Sequence, residues 1–119
     1  MKYMLLIYGD ENALSQEERE ACYGESLKVV DEINALGKYH GAAPLQHSTT
    51  ARSVRVRDGK RLVTDGPFAE THEQLGGFFM VDAVDEEEAL AFAAKIPGAK
   101  FGTVEVRPVV NLPGLPENR

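Results

Sequence analysis

The sequence predicts an α+β fold, a split βαβ arrangement with an inserted β-hairpin, on three observations. Two segments, 3–8 and 77–82, are apolar at nearly every position, as strands covered on both faces of a sheet are. Each is followed by an amphipathic segment with a helix-cap signature. Between the two halves stands Ser53-Val54-Arg55-Val56-Arg57-Asp58-Gly59, an alternating strand ending in a strong hairpin turn.

Tyr3 to Tyr8 opens the fold: Tyr3, Leu5 and Ile7 share one face and Met4, Leu6 and Tyr8 the other. Gly9 to Asn12 is a loop. Ser15-Gln16-Glu17-Glu18 matches a capping box and predicts a helix to about Leu36, with Cys22, Val29, Val30, Ile33 and Leu36 inward and Gly37 as the stop. Gly24 inside this helix costs about 1 kcal/mol relative to alanine, a sign of close approach by another segment. Cys22 reads as a small core hydrophobe rather than a reactive thiol. Lys38 to Gln46 is a loose strand, and Pro44 places it at an edge or bulge.

The hairpin turn at Asp58-Gly59 sets Arg57 opposite Lys60, Arg55 opposite Leu62 and Val54 opposite Val63. Gly77 to Asp82 is a second central strand. Asp85 to Glu88 opens a helix whose acidic first turn suits the helix dipole, and Pro97-Gly98 ends it. Phe101 to Arg107 is the last strand, with Val104 and Val106 toward the helices. The tail 111–116 is too rich in Pro and Gly for a regular element. This order is that of a ferredoxin-like fold. Both helices cover one sheet face, yet the central strands are apolar on both, so a second copy is expected on the open face, as a homodimer with a cleft at the seam.

The chain has 119 residues, enough for one domain over 1–119 with its own core. Hydrophobic residues make up 43% and charged residues 27%, an ordinary globular balance. The net charge of −6, with basic residues scattered along the sequence, argues against nucleic acid or an anionic membrane as main partner. One cysteine excludes an intrachain disulfide and suits a reducing compartment. The short apolar start reads as a strand rather than a signal peptide, and a cytoplasmic protein is expected.

The candidate site is Val63 to Phe78, where Asp65, Glu70, His72 and Glu73 put four ionisable groups within nine positions. Asp65 is the leading candidate for a base or ligand contact, although aspartate before glycine is also common turn chemistry. Glu70 is kept beside it. Phe68 is a loop anchor in the core or a stacking platform for a ligand. Glu105 and Arg107 point to the open side and Tyr8 borders the same space. Arg55 and Arg107 are candidate anion clamps. His72 has the intrinsic pKa for proton transfer, and Glu70 and Glu73 lie beside it. His40 and His47 are weaker candidates. No ligand spacing for a metal is present, and no cofactor is expected.

The stretches Asp65-Gly66-Pro67-Phe68-Ala69-Glu70-Thr71 and Glu73-Gln74-Leu75-Gly76-Gly77-Phe78 resemble the YCII-related family, in its DGPF-domain branch. Lys2 to Tyr8 and Val104 to Pro108 extend the resemblance over almost the whole chain. It implies a ferredoxin-like fold paired into a dimeric α/β barrel. It implies no established activity, and members often accompany extracytoplasmic-function sigma factors. Other branches have a suspected histidine–aspartate pair with its histidine on the first helix, and at least one removes halide from an aromatic ring-derived compound. Ala21-Cys22-Tyr23-Gly24 offers no such histidine here, and His72 stands where lysine is usual, which lowers it as a catalyst. Two functions remain from this reading: a small-molecule-binding protein or proton-transfer enzyme acting on an aromatic or anionic compound, and a non-catalytic regulatory module associated with a sigma factor.

Overall fold

The computed structural model describes residues 1–116. Strand β1 (Lys2–Gly9) runs down the middle of a four-stranded antiparallel sheet, and its long apolar run is the reason it is central. It pairs on one side with β5 (Gln74–Asp82) and on the other with β6 (Thr103–Pro108). Strand β2 (Tyr39–Pro44) lies outside β5, so the order is β2-β5-β1-β6 and Pro44 sits on an edge strand, where no ladder donor is missed. This is the expected ferredoxin-like topology.

Helix α1 (Gln16–Ala35) starts as its sequence predicts. Ser15 accepts from the Glu18 amide at 3.1 Å while the Glu18 carboxylate accepts from the Ser15 amide at 2.9 Å. Gly37, at φ +73°, closes it: the Gly37 amide reaches the Asn34 carbonyl and the Lys38 amide reaches that of Ile33, a Schellman ending. Helix α2 (Glu86–Lys95) is capped by Asp85, whose carboxylate accepts from the Glu88 amide. A short helix α3 (Gly98–Phe101) follows, so the last strand starts at Thr103 rather than at Phe101 as expected.

The core lies between the helices and one sheet face. Tyr3, Leu5, Phe79 and Val81 of the sheet meet Val29, Ile33, Ala89, Phe92, Ala93 and Ile96, with Val104 and Val106 against them as expected. Leu5, Ile33, Ile96 and Val81 are fully enclosed, each contributing about 1.5–3 kcal/mol of apolar burial. Two expectations fail here. Leu36 is 61% exposed, because it caps α1 beyond its last buried turn. Gly24 has no heavy atom within 4 Å of an added Cβ, so it marks no close approach. Cys22 is half-buried; burial first, then the Glu25 and Glu18 carboxylates, push its thiol pKa up, which disfavours the reactive thiolate.

The other sheet face carries Met4, Leu6, Phe78 and Met80 with Glu105 and Arg107 alongside, and no helix among the described residues covers it. The hairpin β3 (Arg52–Arg57) and β4 (Lys60–Asp65) forms a separate two-stranded sheet. Its register is the predicted one, and Asp58 and Gly59 both have positive φ, as the tight turn demands. Among the described residues no helix is long and apolar enough to cross a membrane.

Candidate functional site

The segment from Gly66 to Glu73 leaves the hairpin and re-enters the main sheet at Gln74. Gly66 sits at φ +91°, a conformation that strains any residue with a Cβ, so the glycine is a backbone requirement. Its amide donates to the Ala51 carbonyl and its carbonyl accepts from Ser53 Oγ, each at 2.8 Å, closing the hairpin base. At the far end Gln74 Nε2 donates to the Thr71 carbonyl at 2.6 Å, and Gln74 Oε1 accepts from the Glu11 amide at 3.1 Å. One side chain thus ties this segment to the loop after β1. An extra residue in β5, Gly76, shifts the pairing between Ile7 and Tyr8, a bulge near that end of the sheet.

Two concavities flank the segment. The larger, about 580 Å³, lies at the end of the open sheet face and is lined by Tyr8, Thr71, His72, Glu73, Thr103 and Glu105. Tyr8 OH approaches Glu105 Oε1 at 3.5 Å, the limit of a hydrogen bond, and Thr103 Oγ1 donates to Glu73 Oε1 at 3.1 Å. Its lining therefore holds two carboxylates, a phenol, two hydroxyls and one imidazole, and neither Lys nor Arg. Such a surface repels anions and offers acceptors to hydroxyl donors. The smaller, about 270 Å³, is lined by Ser48, Thr49, Gly66, Pro67, Glu70 and Gln74, among others.

The predicted residues divide between these spaces. Tyr8, His72 and Glu105 meet in the larger one and Glu70 lines the smaller. Asp65 lines neither. Its side chain is 89% exposed and pairs with Arg52 Nε at 2.8 Å across the hairpin base, a surface ion pair worth about 0–1 kcal/mol. Phe68 is not a core anchor: it is 75% exposed, with the Arg55 guanidinium 4.8 Å from its ring centroid. Arg55 is thereby committed to a cation–π contact away from both concavities. Arg107 lies on the open face opposite Met4. The other histidines go elsewhere, His40 to Asp82 at 2.6 Å and His47 to Glu11 at 3.6 Å. Among the described residues no three His, Cys, Asp or Glu side chains converge as a metal site would require.

Sequence reasoning missed Glu11, Ser48, Thr103 and the bridging role of Gln74. Glu11 is 15% exposed and accepts from both the Ser48 amide, at 2.8 Å, and the Ser48 hydroxyl. Burial raises its pKa, but the two Ser48 bonds and the charges of His47 and Arg19 outweigh this and hold it below the ordinary carboxylate value. No local spacing announces the pair, since 37 positions separate its members. Thr103 is recoverable from strand alternation, being two residues from Glu105.

The comparisons with known proteins agree with this architecture. An uncharacterized protein of Rhizobium meliloti (strain 1021) is 40% identical over 114 residues, covering 92% of each chain. Among solved structures, the chain is similar to the 5-chloro-2-hydroxyhydroquinone dehydrochlorinase of Burkholderia phenoliruptrix AC1100, determined in complex with 2,5-dihydroxybenzoquinone. The TM-score is 0.55 at 16% identity, over 92% of this chain and 94% of that one, a likeness of fold. The model of the YCII-related domain matches residues 1–113, and the chain belongs to the YCII-related family.

Proposed function

We propose that this protein, a member of the DGPF branch by its Asp65-to-Phe78 motif, binds a small hydroxylated aromatic compound and transfers a proton on it. The carrying observation is the concavity that joins Glu105, Tyr8, Glu73 and Thr103 at the end of the open sheet face. Two carboxylates in a lining that holds no Lys or Arg favour a neutral ligand with hydroxyl groups over an anion. Glu105 takes the proton of a ring hydroxyl as solvent water protonates a ring carbon, and returns it to the hydroxide so formed, so the ring passes to its keto form without resting as a phenolate beside two carboxylates. The Tyr8 hydroxyl, already aimed at Glu105, donates a hydrogen bond to the ring oxygen. Glu73, held by Thr103, accepts from a second hydroxyl. The similar dehydrochlorinase is named for a hydroxylated ring, 5-chloro-2-hydroxyhydroquinone, which accords with this substrate class.

The reading includes a homodimer and a cytoplasmic setting. A second copy removes the open face of Met4, Leu6, Phe78 and Met80 from water and closes the outer side of the concavity. Sedimentation of a monomer at micromolar concentration overturns the dimer.

The site is tested by titrating the protein with hydroquinone, catechol and benzoate and following amide shifts by NMR. Hydroquinone or catechol is expected to shift residues around Tyr8 and Glu105, and benzoate is not. Glu105→Gln should weaken that binding about tenfold at unchanged melting temperature, the loss of one charge-assisted hydrogen bond. Equal binding by the variant, or no shift with any phenol, defeats the proposal. The alternative, a regulatory module of a sigma factor, is favoured by one observation: Asp65 of the motif is spent on a structural ion pair.

A further inference from the structure

The β3–β4 hairpin is a two-stranded sheet of its own, and only Ser53 among its strand residues is even half-buried. Side-chain alternation gives it two unlike faces. The rows Arg52–Asp65, Val54–Val63 and Val56–Arg61 form one, so the Asp65 carboxylate and its ion-pair partner Arg52 both lie there. The rows Ser53–Thr64, Arg55–Leu62 and Arg57–Lys60 form the other. This second face holds three exposed cations and no carboxylate, with Asp58 in the turn beyond its tip. Among the described residues none of Arg55, Arg57 and Lys60 is in an ion pair.

The motif segment adds an aromatic ring to this cationic face. The Arg55 guanidinium lies 4.8 Å from the Phe68 ring centroid, and Phe68 is 75% exposed, so much of the ring stays open to water. An open ring backed by a guanidinium, beside two further cations, matches the two needs of a single-stranded nucleic acid: a surface for a base and charges for phosphates. The rest of the chain narrows the choice. Residues 52–65 carry a net +3, so with −6 overall the remainder holds −9. A duplex or an anionic membrane presents a broad negative surface, which that acidic remainder repels. A single strand is narrow and has unstacked bases to offer, whereas an acidic peptide satisfies the cations and leaves the ring unused. The geometry points to the Arg55–Phe68 face of the hairpin as a short, sequence-tolerant contact for single-stranded nucleic acid. Phe68 stacks a base, and Arg55, Arg57 and Lys60 hold its phosphates. This contact goes beyond the phenol reading and uses none of the residues that line the larger concavity.

Fluorescence anisotropy of the full chain with a labelled oligothymidylate of about 12 nucleotides tests this. Three phosphate contacts give a slope of about −2 in log K against log salt. Phe68→Ala should weaken binding about tenfold with the slope unchanged, and Phe68→Tyr should keep the wild-type affinity. Arg57→Gln with Lys60→Gln should flatten the slope to about −0.7. Should that double variant lose the amide pattern of the hairpin by NMR, Lys60→Gln alone is read, with an expected slope of about −1.4. No binding at about 50 mM salt, or a Phe68→Ala variant as tight as wild type, overturns the inference. Thymidine monophosphate held as tightly as the oligomer overturns the strand in favour of a nucleotide site. A duplex of the same length bound at least as tightly overturns the stacking role. Phosphatidylglycerol vesicles that displace the oligomer and bind more tightly overturn it in favour of a membrane contact. Phenol binding is a separate measurement, so none of these results decides the site.

Discussion

Replacing Glu11 by glutamine probes the junction that positions the motif segment. The Glu11 carboxylate takes the Ser48 amide and hydroxyl together, while the Glu11 amide holds Gln74 at the end of that segment. Glutamine keeps one carbonyl acceptor for the Ser48 amide but loses the charge and the acceptor that the Ser48 hydroxyl donates to. Hydrogen bonds to a charged group contribute about 1.5–3 kcal/mol, and one of two survives, so the expected cost is about 1–2 kcal/mol. For a chain of this size that is a fall of roughly 4–10 °C in Tm, read by thermal unfolding at equal protein concentration. The pH dependence carries a second signature. The folded pKa lies below the unfolded value of 4.5, so the stabilisation is fully present above that value and is lost as pH falls through the folded pKa. The gap between wild type and variant should therefore be constant from pH 7 down to about pH 5 and close in more acidic buffer. A variant as stable as wild type at pH 7, or a gap that persists undiminished in acid, refutes the account.

Two further substitutions are directly readable. Gly24→Ala should raise stability by about 0.8–1 kcal/mol in urea unfolding, because the site is helical and nothing lies within 4 Å of the new methyl; destabilisation would mean that another surface covers α1. Gly102→Ala should cost about 3 kcal/mol or more, because its Cβ would overlap the Tyr8 carbonyl oxygen and meet Gly9 Cα at 2.9 Å, both backbone. An unchanged Tm for that variant contradicts the close crossing of β6 and β1.

Local chemistry made most of the fold readable. The Ser15 capping box, Gly37, the Asp58-Gly59 turn and the paired apolar runs each act over a few residues, and each forms as predicted. Pro44 similarly forecast an edge strand. The candidate site was legible in part. Alternation in β1 and β6 placed Tyr8 and Glu105 on one face, where they meet. The motif itself misled in its most conspicuous member: turn residues at Asp65 suggested a carboxylate aimed at a cleft, but hairpin register put Arg52 directly opposite it.

The sequence by itself determined the order of elements, the register of the hairpin and the two-faced central strands, because these follow from dihedral preference and the period of side chains. Only the tertiary structure decided which polar groups share a space. Glu11 meets Ser48 across 37 positions, and Glu73 meets Thr103 across 30. Such pairings depend on where chain reversals bring distant strand ends together, and no local pattern encodes that distance.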